Sequence, residues 1–309
     1  MKKHSLIQLS IIICFSIILI NKAWCGQVVT DEIRQWAKRA LEQEKNLGTD
    51  IGAETVAILY FNNKTGQREL DLLQKGLTLM LITDLSSVEG LQVVERVRLQ
   101  AITEEMGLDV SGLVGSDSIS RVEKLLGARW LVSGDILEKA LMPIHIDSKI
   151  LDVPDTQVLG QPTAEGIREE FFKIEKDLLF KIIESLQIDL TPGEIAMLKK
   201  PLTTNITALF DLFKGIHESD RGNYRLAERY YEMALKRDPG ITSAAVYLEE
   251  LRSLKLIDSA SGNGRELMYS LREETSLTDR YSPGITTKRE QRPGADNTHI
   301  NIEILLPSF

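Results

Sequence analysis

Apolar and polar residues change period several times along this chain, and each change marks an element. Between Gln27 and Leu47, the residues Val29, Ile33, Trp36, Ala40 and Leu47 recur at helical spacing behind Thr30-Asp31-Glu32, which predicts an amphipathic helix. Gly48 to Gly52 breaks that pattern. Thr55 to Phe61 is a near-continuous apolar run, the mark of a strand covered on both faces. A second helix is expected over Gln67–Val88, with Leu70, Leu73, Leu77, Met80, Leu81 and Leu85 in one stripe and Gly90 as its stop. Leu91 to Glu95 reads as a strand, and a helix carrying Leu99, Ile102 and Met106 follows it to Gly107.

Beyond a glycine-containing loop, Asp109 to Gly115, either Ser116 or Asp117 caps a short helix with Ile119, Val122, Leu125 and Leu126. Gly127 ends it. Three short strands follow, around Leu131–Asp135, Ile144–Leu151 and Gln157–Gly160. From Gly166 a long helix is expected to about Leu186, burying Phe171, Phe172, Ile174, Leu178, Leu179, Ile182 and Ile183. Helices alternating with strands and then a meander predict an α/β fold, a mixed-sheet sandwich over residues 26–190.

The stretch from Glu54 to Gly166 carries a family resemblance. Its buried strand Glu54–Phe61, its polar turn Asn62-Asn63-Lys64-Thr65-Gly66 and its three closing strands come in an order that resembles the periplasmic domain of the curli production assembly/transport component (CsgG) family, with its FlgO-like and TolB-N-terminal-like relatives. The resemblance covers a third to a half of the chain, by pattern rather than by one motif, so function has to be argued from sites. It implies a non-catalytic role in assembly or secretion and allows a homo-oligomer formed through this domain. In the channel members, membrane hairpins leave between the first two meander strands and after the third. Here those gaps hold little more than Ala140-Leu-Met142 and Gln161 to Glu165, whereas one spanning strand needs about 9–11 residues. The expected function is therefore a non-enzymatic periplasmic accessory or scaffold of the cell envelope. A subunit of an outer-membrane export channel is the alternative, and a cryptic envelope hydrolase is the third class.

The chemistry changes again from Ala208. Gly215, Gly222, Tyr224, Ala227, Tyr231, Ala234 and Pro239 fall at the small and large positions of one tetratricopeptide repeat, about residues 208–241. Small residues let two antiparallel helices approach closely while the tyrosines fill between them. Asp238-Pro239 ends the second helix. One repeat cannot bury its own face, so Ile241 to Leu254 is expected to cap it, within an all-α segment over 191–256. Such a unit would hold a peptide or helix of an envelope or secreted protein, with Asn223, Arg225 and Arg229 as candidate partner contacts. Residues 257–309 read as a flexible polar tail punctuated by Gly and Pro, with a brief alternation at Ile300–Phe309 that suggests a terminal strand.

Compartment follows from the other end. Met1-Lys2-Lys3, the apolar run Leu6–Ile20 and Ala23-Trp24-Cys25 make a secretory signal peptide of residues 1–25, which places the chain in the periplasm, in possible association with the outer membrane. Acylation at Cys25 is the minority reading, because Trp24 is bulky and Lys22 is charged; an uncleaved anchor is another. The two cysteines, Cys14 and Cys25, both lie in this segment, so cleavage removes every disulfide partner. No other run is long and apolar enough to span a bilayer. A net charge of −8 and the lack of a basic patch argue against a nucleic-acid partner.

Catalytic and cofactor patterns are not found. His4, His145, His217 and His299 are scattered, and His145, between Ile144 and Ile146, is expected to face solvent. Glu104-Glu105, Glu169-Glu170 and Glu249-Glu250 are neighbours on expected helices, about 100° apart, and so do not face one substrate. Ser133-Gly134-Asp135 sits in a strand pattern where the glycine marks a bulge or close packing, and Trp130 reads as core. Asn62 to Gly66 lies where α/β folds place ligands but lacks phosphate-cradling glycines, so it reads as a polar turn. No cofactor, metal or catalytic residue is assigned.

Overall fold

The computed structural model describes residues 26–44, 52–108, 121–122, 124–139 and 142–257. The expected signal peptide, both cysteines, the 109–115 loop with the Ser116 or Asp117 cap, and the tail with its terminal strand lie outside the described residues.

The chain enters through α1 (Asp31–Glu42), then β1 (Gly52–Ile58), β2 (Asn62–Asn63), a 3-10 turn (Arg68–Leu70), α2 (Asp71–Leu85), β3 (Gln92–Val93) and α3 (Arg96–Glu105). After these come β4 (Ala128–Lys139), β5 (Met142–Asp152), β6 (Gln157–Gly160), β7 (Thr163–Gly166) and α4 (Phe171–Ser185). Four helices close the described chain: α5 (Pro192–Leu198), α6 (Ile206–Asp220), α7 (Tyr224–Arg237) and α8 (Thr242–Ser253).

One mixed sheet forms the middle layer, in the order β3-β1-β4-β5-β6. Its first strands are parallel: β1 pairs with β3 through Val56↔Val93 and with β4 through Ile58↔Val132. β2 prolongs the line of β1 along β4 through Asn62↔Asp135. The rest is antiparallel, with β5 against β4, and with β6 and β7 both paired to β5. β7 corrects the expected three-strand meander. Gln161-Pro162 looks like a gap in sequence, yet the chain only kinks there and resumes pairing, Ile146↔Ala164. For the same reason Gly166 ends a strand instead of opening the helix, whose first α-helical residue is Phe171.

The two faces of β1 go to different cores. Val56, Ile58 and Phe61 join the cluster that holds α2, α4 and α6–α8; Ala57, Leu59 and Tyr60 join the one that holds α1 and α3. α2 is buried nearly all round, Leu73, Leu77, Leu79, Met80, Leu81, Ile82 and Leu85 included, as a helix roofed by further helices must be. The roof comes close at Gly76, where an added Cβ would sit 2.5 Å from the ring of Phe213 on α6. α6 and α7 form an antiparallel pair: Gly215 meets Tyr231, and Asp211 meets Arg237 at 2.6 Å. Gly222 makes the turn between them with φ +77. α5 starts on a capping box in which Thr191 and Glu194 satisfy each other's backbone N–H.

His145 departs from expectation. It is 5% exposed, because Asp147 and Glu165 close over its ring, 2.6 Å from Nε2 and 3.0 Å from Nδ1. Strand alternation identifies the face but not what neighbouring side chains lay across it. Gly134 is closely packed: a Cβ there would meet the Asp147 carbonyl at 2.3 Å and the Phe61 ring at 2.6 Å. Glu169-Glu170 sit in a 3-10 turn before α4, not on the helix proper.

Candidate functional site

β1 lies between β3 and β4, parallel to both, and the connections among these strands run over opposite faces of the sheet: α2, from β1 to β3, over one and α3, from β3 to β4, over the other. Beyond the carboxyl end of such a strand the two layers part and leave a crevice. Tyr60 and Asn63 line it, α2 supplies Lys75 and α3 supplies Gln100, while Arg96, at the start of α3, is fully buried. The last turn of α6 reaches over this crevice with Asp220.

Arg96 is the largest fully buried side chain described. A buried guanidinium is tolerable only when its donors are met. All five N–H donors are met here: Nε by the Gln27 side chain, Nη1 by Tyr60 Oη at 3.2 Å and Asp220 at 3.0 Å, Nη2 by the Gln27 carbonyl at 2.8 Å and Asp220 at 2.9 Å. Lys75 donates to Asp220 at 2.6 Å and to Gln100 Oε1 at 3.1 Å. Tyr60 donates to that same Gln100 oxygen at 2.7 Å, and Gln100 in turn donates to Glu104 at 2.8 Å. Two backbone N–H groups of the entering chain, at Gln27 and Val28, donate to Glu250 of α8.

Electrostatics lock these groups. Burial raises Asp220, but Arg96 and Lys75 outweigh it and hold the carboxyl below its ordinary range. Burial drives the Tyr60 hydroxyl far up. Arg96 stays charged, since the carboxylate opposite overcomes the burial that would discharge it. Proton transfer near neutrality needs a group poised there, and these three are shifted away from it. What these three can do is hold charge against one another.

Above the network opens a cleft of about 700 Å³, lined by Tyr60, Asn63, Lys75, Thr103, His217 and Arg221 among others. A second groove of about 450 Å³, lined by Arg168, Phe210 and Lys214, shares Leu72 with it. Among the described residues, no group of three His, Cys, Asp or Glu is placed to hold a metal. Nor is any described helix long and apolar enough to cross a membrane.

The residues singled out from the sequence lie elsewhere. Gly215, Ala227, Tyr231 and Ala234 meet in the buried seam between α6 and α7; Tyr224 is half-buried at the start of α7, and Pro239 is exposed just past its end. Asn223 is exposed and donates to Glu218 at 2.6 Å; Arg225 is exposed and Arg229 half-buried on α7. None of the three lines the cleft. Sequence reasoning missed Lys75, Arg96 and Asp220, because no local pattern links them. The one available signal is the turn after β1, whose place in an α/β fold marks a crevice. Asn63 there accepts from the N–H and hydroxyl of Thr65, and Gly66 has φ +76.

The model of the family described as curli production assembly/transport component CsgG matches residues 38–138, from α1 to the end of β4. A curated protein of Rhizobium meliloti (strain 1021) named "Putative adenylate cyclase 3" is 24% identical over 212 residues, 67% of this chain and 34% of that protein. This chain thus spans about a third of that relative's length. Among solved structures, the LpoB C-terminal domain from Salmonella enterica aligns with a TM-score of 0.32 at 12% identity, covering 44% of this chain and 95% of that one. Lipoprotein GNA1162 from Neisseria meningitidis aligns at 0.32 and 11%, covering 45% and 99%. TolB from Acinetobacter baumannii aligns at 0.27 and 18%, covering 44% and 29%.

Proposed function

We propose that this chain is a non-enzymatic accessory or scaffold protein of the cell envelope, exported to the periplasm, that acts by binding other proteins. The observation that carries the proposal is the CsgG family match over residues 38–138, which falls on β1 to β4 with α2 and α3. The activity named for the Rhizobium protein is not assigned here, since two thirds of that protein lie outside the match.

Within this reading, α6 and α7 form one tetratricopeptide-like unit and α8 caps it. Three features support that: the Gly215 backbone against the Tyr231 ring, fully buried Ala227 and Ala234, and the Tyr231–Tyr247 edge contact at 5.8 Å between α7 and α8. Asn223, Arg225 and Arg229 remain the proposed contacts for a peptide or helix, and the CsgG-like part is the proposed surface for self-association.

Photocrosslinking in native cells tests this. A photoreactive residue at Arg225 or at exposed Met233 on α7 is expected to give discrete adducts with envelope proteins, while Lys173 on α4 gives none. Identical adducts at all three positions, or none at any, would overturn the proposal.

A further inference from the structure

The buried network is built around one carboxylate. Lys75 from α2 and Arg96 from α3 converge, from opposite faces of the sheet, on one carboxylate, that of Asp220. Two cations thus face one anion. Arg96 has no donor left, but Lys75 has three hydrogens and the network uses two. Lys75 lines the cleft, its side chain is 17% exposed, and its Nζ lies 5.4 Å from the centroid of the Tyr60 ring, so its third hydrogen is engaged by no hydrogen bond among the described residues.

Arg221, on the cleft wall, forms no side-chain hydrogen bond or ion pair among the described residues. The cleft's carboxylates are already engaged. Glu104 takes Arg34 at 2.5 Å and Gln100 at 2.8 Å, while Asp71 takes the Asn63 amide at 2.7 Å. Arg96 and Arg34, which stand outside the lining, pair with Asp220 and Glu104, so of the groups that line the cleft Lys75 and Arg221 remain opposite Asp71. The volume, about 700 Å³, lies in the range of small-ligand pockets.

We propose that this cleft is a binding site for a carboxylate ligand, with the Lys75 ammonium and the Arg221 guanidinium as its donors. Asp220 is the internal precedent: the ammonium of Lys75 already holds a carboxylate at 2.6 Å, and the ligand's carboxylate shares that ammonium through the unused hydrogen. The carboxylate comes either from a free small acid or from an acidic segment of a protein. Crosslinking through α7 does not depend on this cleft, so the two readings fail separately.

Two probes are titrated calorimetrically into the full chain in chloride buffer: glutarate, and an acetylated, amidated tri-glutamate peptide. At least one is expected to bind saturably with Kd near or below about 1 mM. That affinity falls about tenfold or more in Lys75→Met and in Arg221→Met, and holds in Lys214→Met, which lines the neighbouring groove. Binding of glutarate alone identifies a free acid, and tighter binding of the peptide identifies a protein segment. No saturation by either probe up to about 10 mM overturns the proposal, as does equal affinity in the Lys75 and Arg221 variants. Lys75 also touches Asp220, so its variant is used only if its melting curve stays cooperative; Arg221, with no internal partner, carries the test regardless.

Discussion

Arg96 and Asp220, 124 residues apart in the chain, meet through two N–H···O bonds of 3.0 and 2.9 Å. Both side chains are essentially out of water, at 0% and 3% exposure. Removing one leaves the other as an uncompensated buried charge, which costs far more than removing both. Arg96→Met is expected to destabilise by about 3–5 kcal/mol. The double variant Arg96→Met/Asp220→Leu should recover a good part of that loss, with Lys75 free to turn toward solvent. Urea unfolding midpoints measure both; a double variant no better than the single would show that charge pairing is not the source.

Glu175 on α4 is a different buried acid. It is fully buried, neither of its oxygens has a hydrogen-bond partner, and Lys176 is 3.6 Å away while holding Asp84 at 2.5 Å. Burial, then the Asp84 charge, push its carboxyl well above the ordinary 4.5. The folded chain therefore keeps a proton there that the unfolded chain releases. Its contribution to stability is complete below pH 4.5 and is lost as pH rises through the raised folded value. Glu175→Gln should raise stability at neutral pH by about 1 kcal/mol or more, since a tenfold change in proton affinity is worth about 1.4 kcal/mol. Melting temperatures from pH 5 to 8, expected to fall in the parent and to flatten in the variant, check the sign.

Asp220 sets the opposite limb. Its carboxyl is held below the ordinary 3.8, so its contribution is present above that value and disappears as pH drops through the folded one. Asp220→Asn, less stable than the parent at neutral pH, should lose less of its remaining stability between pH 4 and 2. Parallel acid titrations of the two proteins, followed by circular dichroism, would show the curves converging.

Two glycines should respond unequally to alanine. At Gly215 an added Cβ would lie 2.3 Å from Cε1 of Tyr231, a ring boxed in by Tyr247, and Gly215→Ala is expected to cost about 1–3 kcal/mol. At Gly66 nothing lies within 4 Å, so only its φ of +76 resists, at about 1 kcal/mol. Chemical denaturation that ranks Gly66→Ala as the worse would mean that the α6–α7 seam gives way more easily than its packing indicates.

Glu250 clasps the entering chain by accepting from Gln27 N–H at 2.8 Å and Val28 N–H at 3.1 Å. Glu250→Ala removes hydrogen bonds to a charged acceptor, worth about 1.5–3 kcal/mol. Amide exchange should accelerate at Gln27 and Val28 while α2 keeps its protection. Unchanged exchange at those two amides would show that the segment is held by other contacts.

The legible parts of the fold were those written in local period. The apolar run Thr55–Phe61 covers the second half of β1 and continues past it, and the stripes of α2 and α4 are buried where their spacing places them, except that Phe172 is half-buried. Boundaries moved inward for α2, which runs Asp71–Leu85 because residues 68–70 wind as a 3-10 turn, and outward for two of the short strands, which run Ala128–Lys139 and Met142–Asp152. β7 was hidden by Pro162, which reads as a break yet still accepts from Ser148 N–H and Oγ through its carbonyl. The site was not legible. Gln27, Tyr60, Arg96 and Asp220 each look ordinary in their own segments, and only tertiary folding brings the other three stretches of chain onto the Arg96 guanidinium.

Arg96 leaves the ribosome long before Asp220 does. Until α6 has been made, the guanidinium at the start of α3 has only neutral partners, Tyr60 and Gln27, for a site that must exclude water. The first half of the chain can pair its strands, but sealing this layer would strand a lone cation. Final closure therefore waits for the arrival of residue 220.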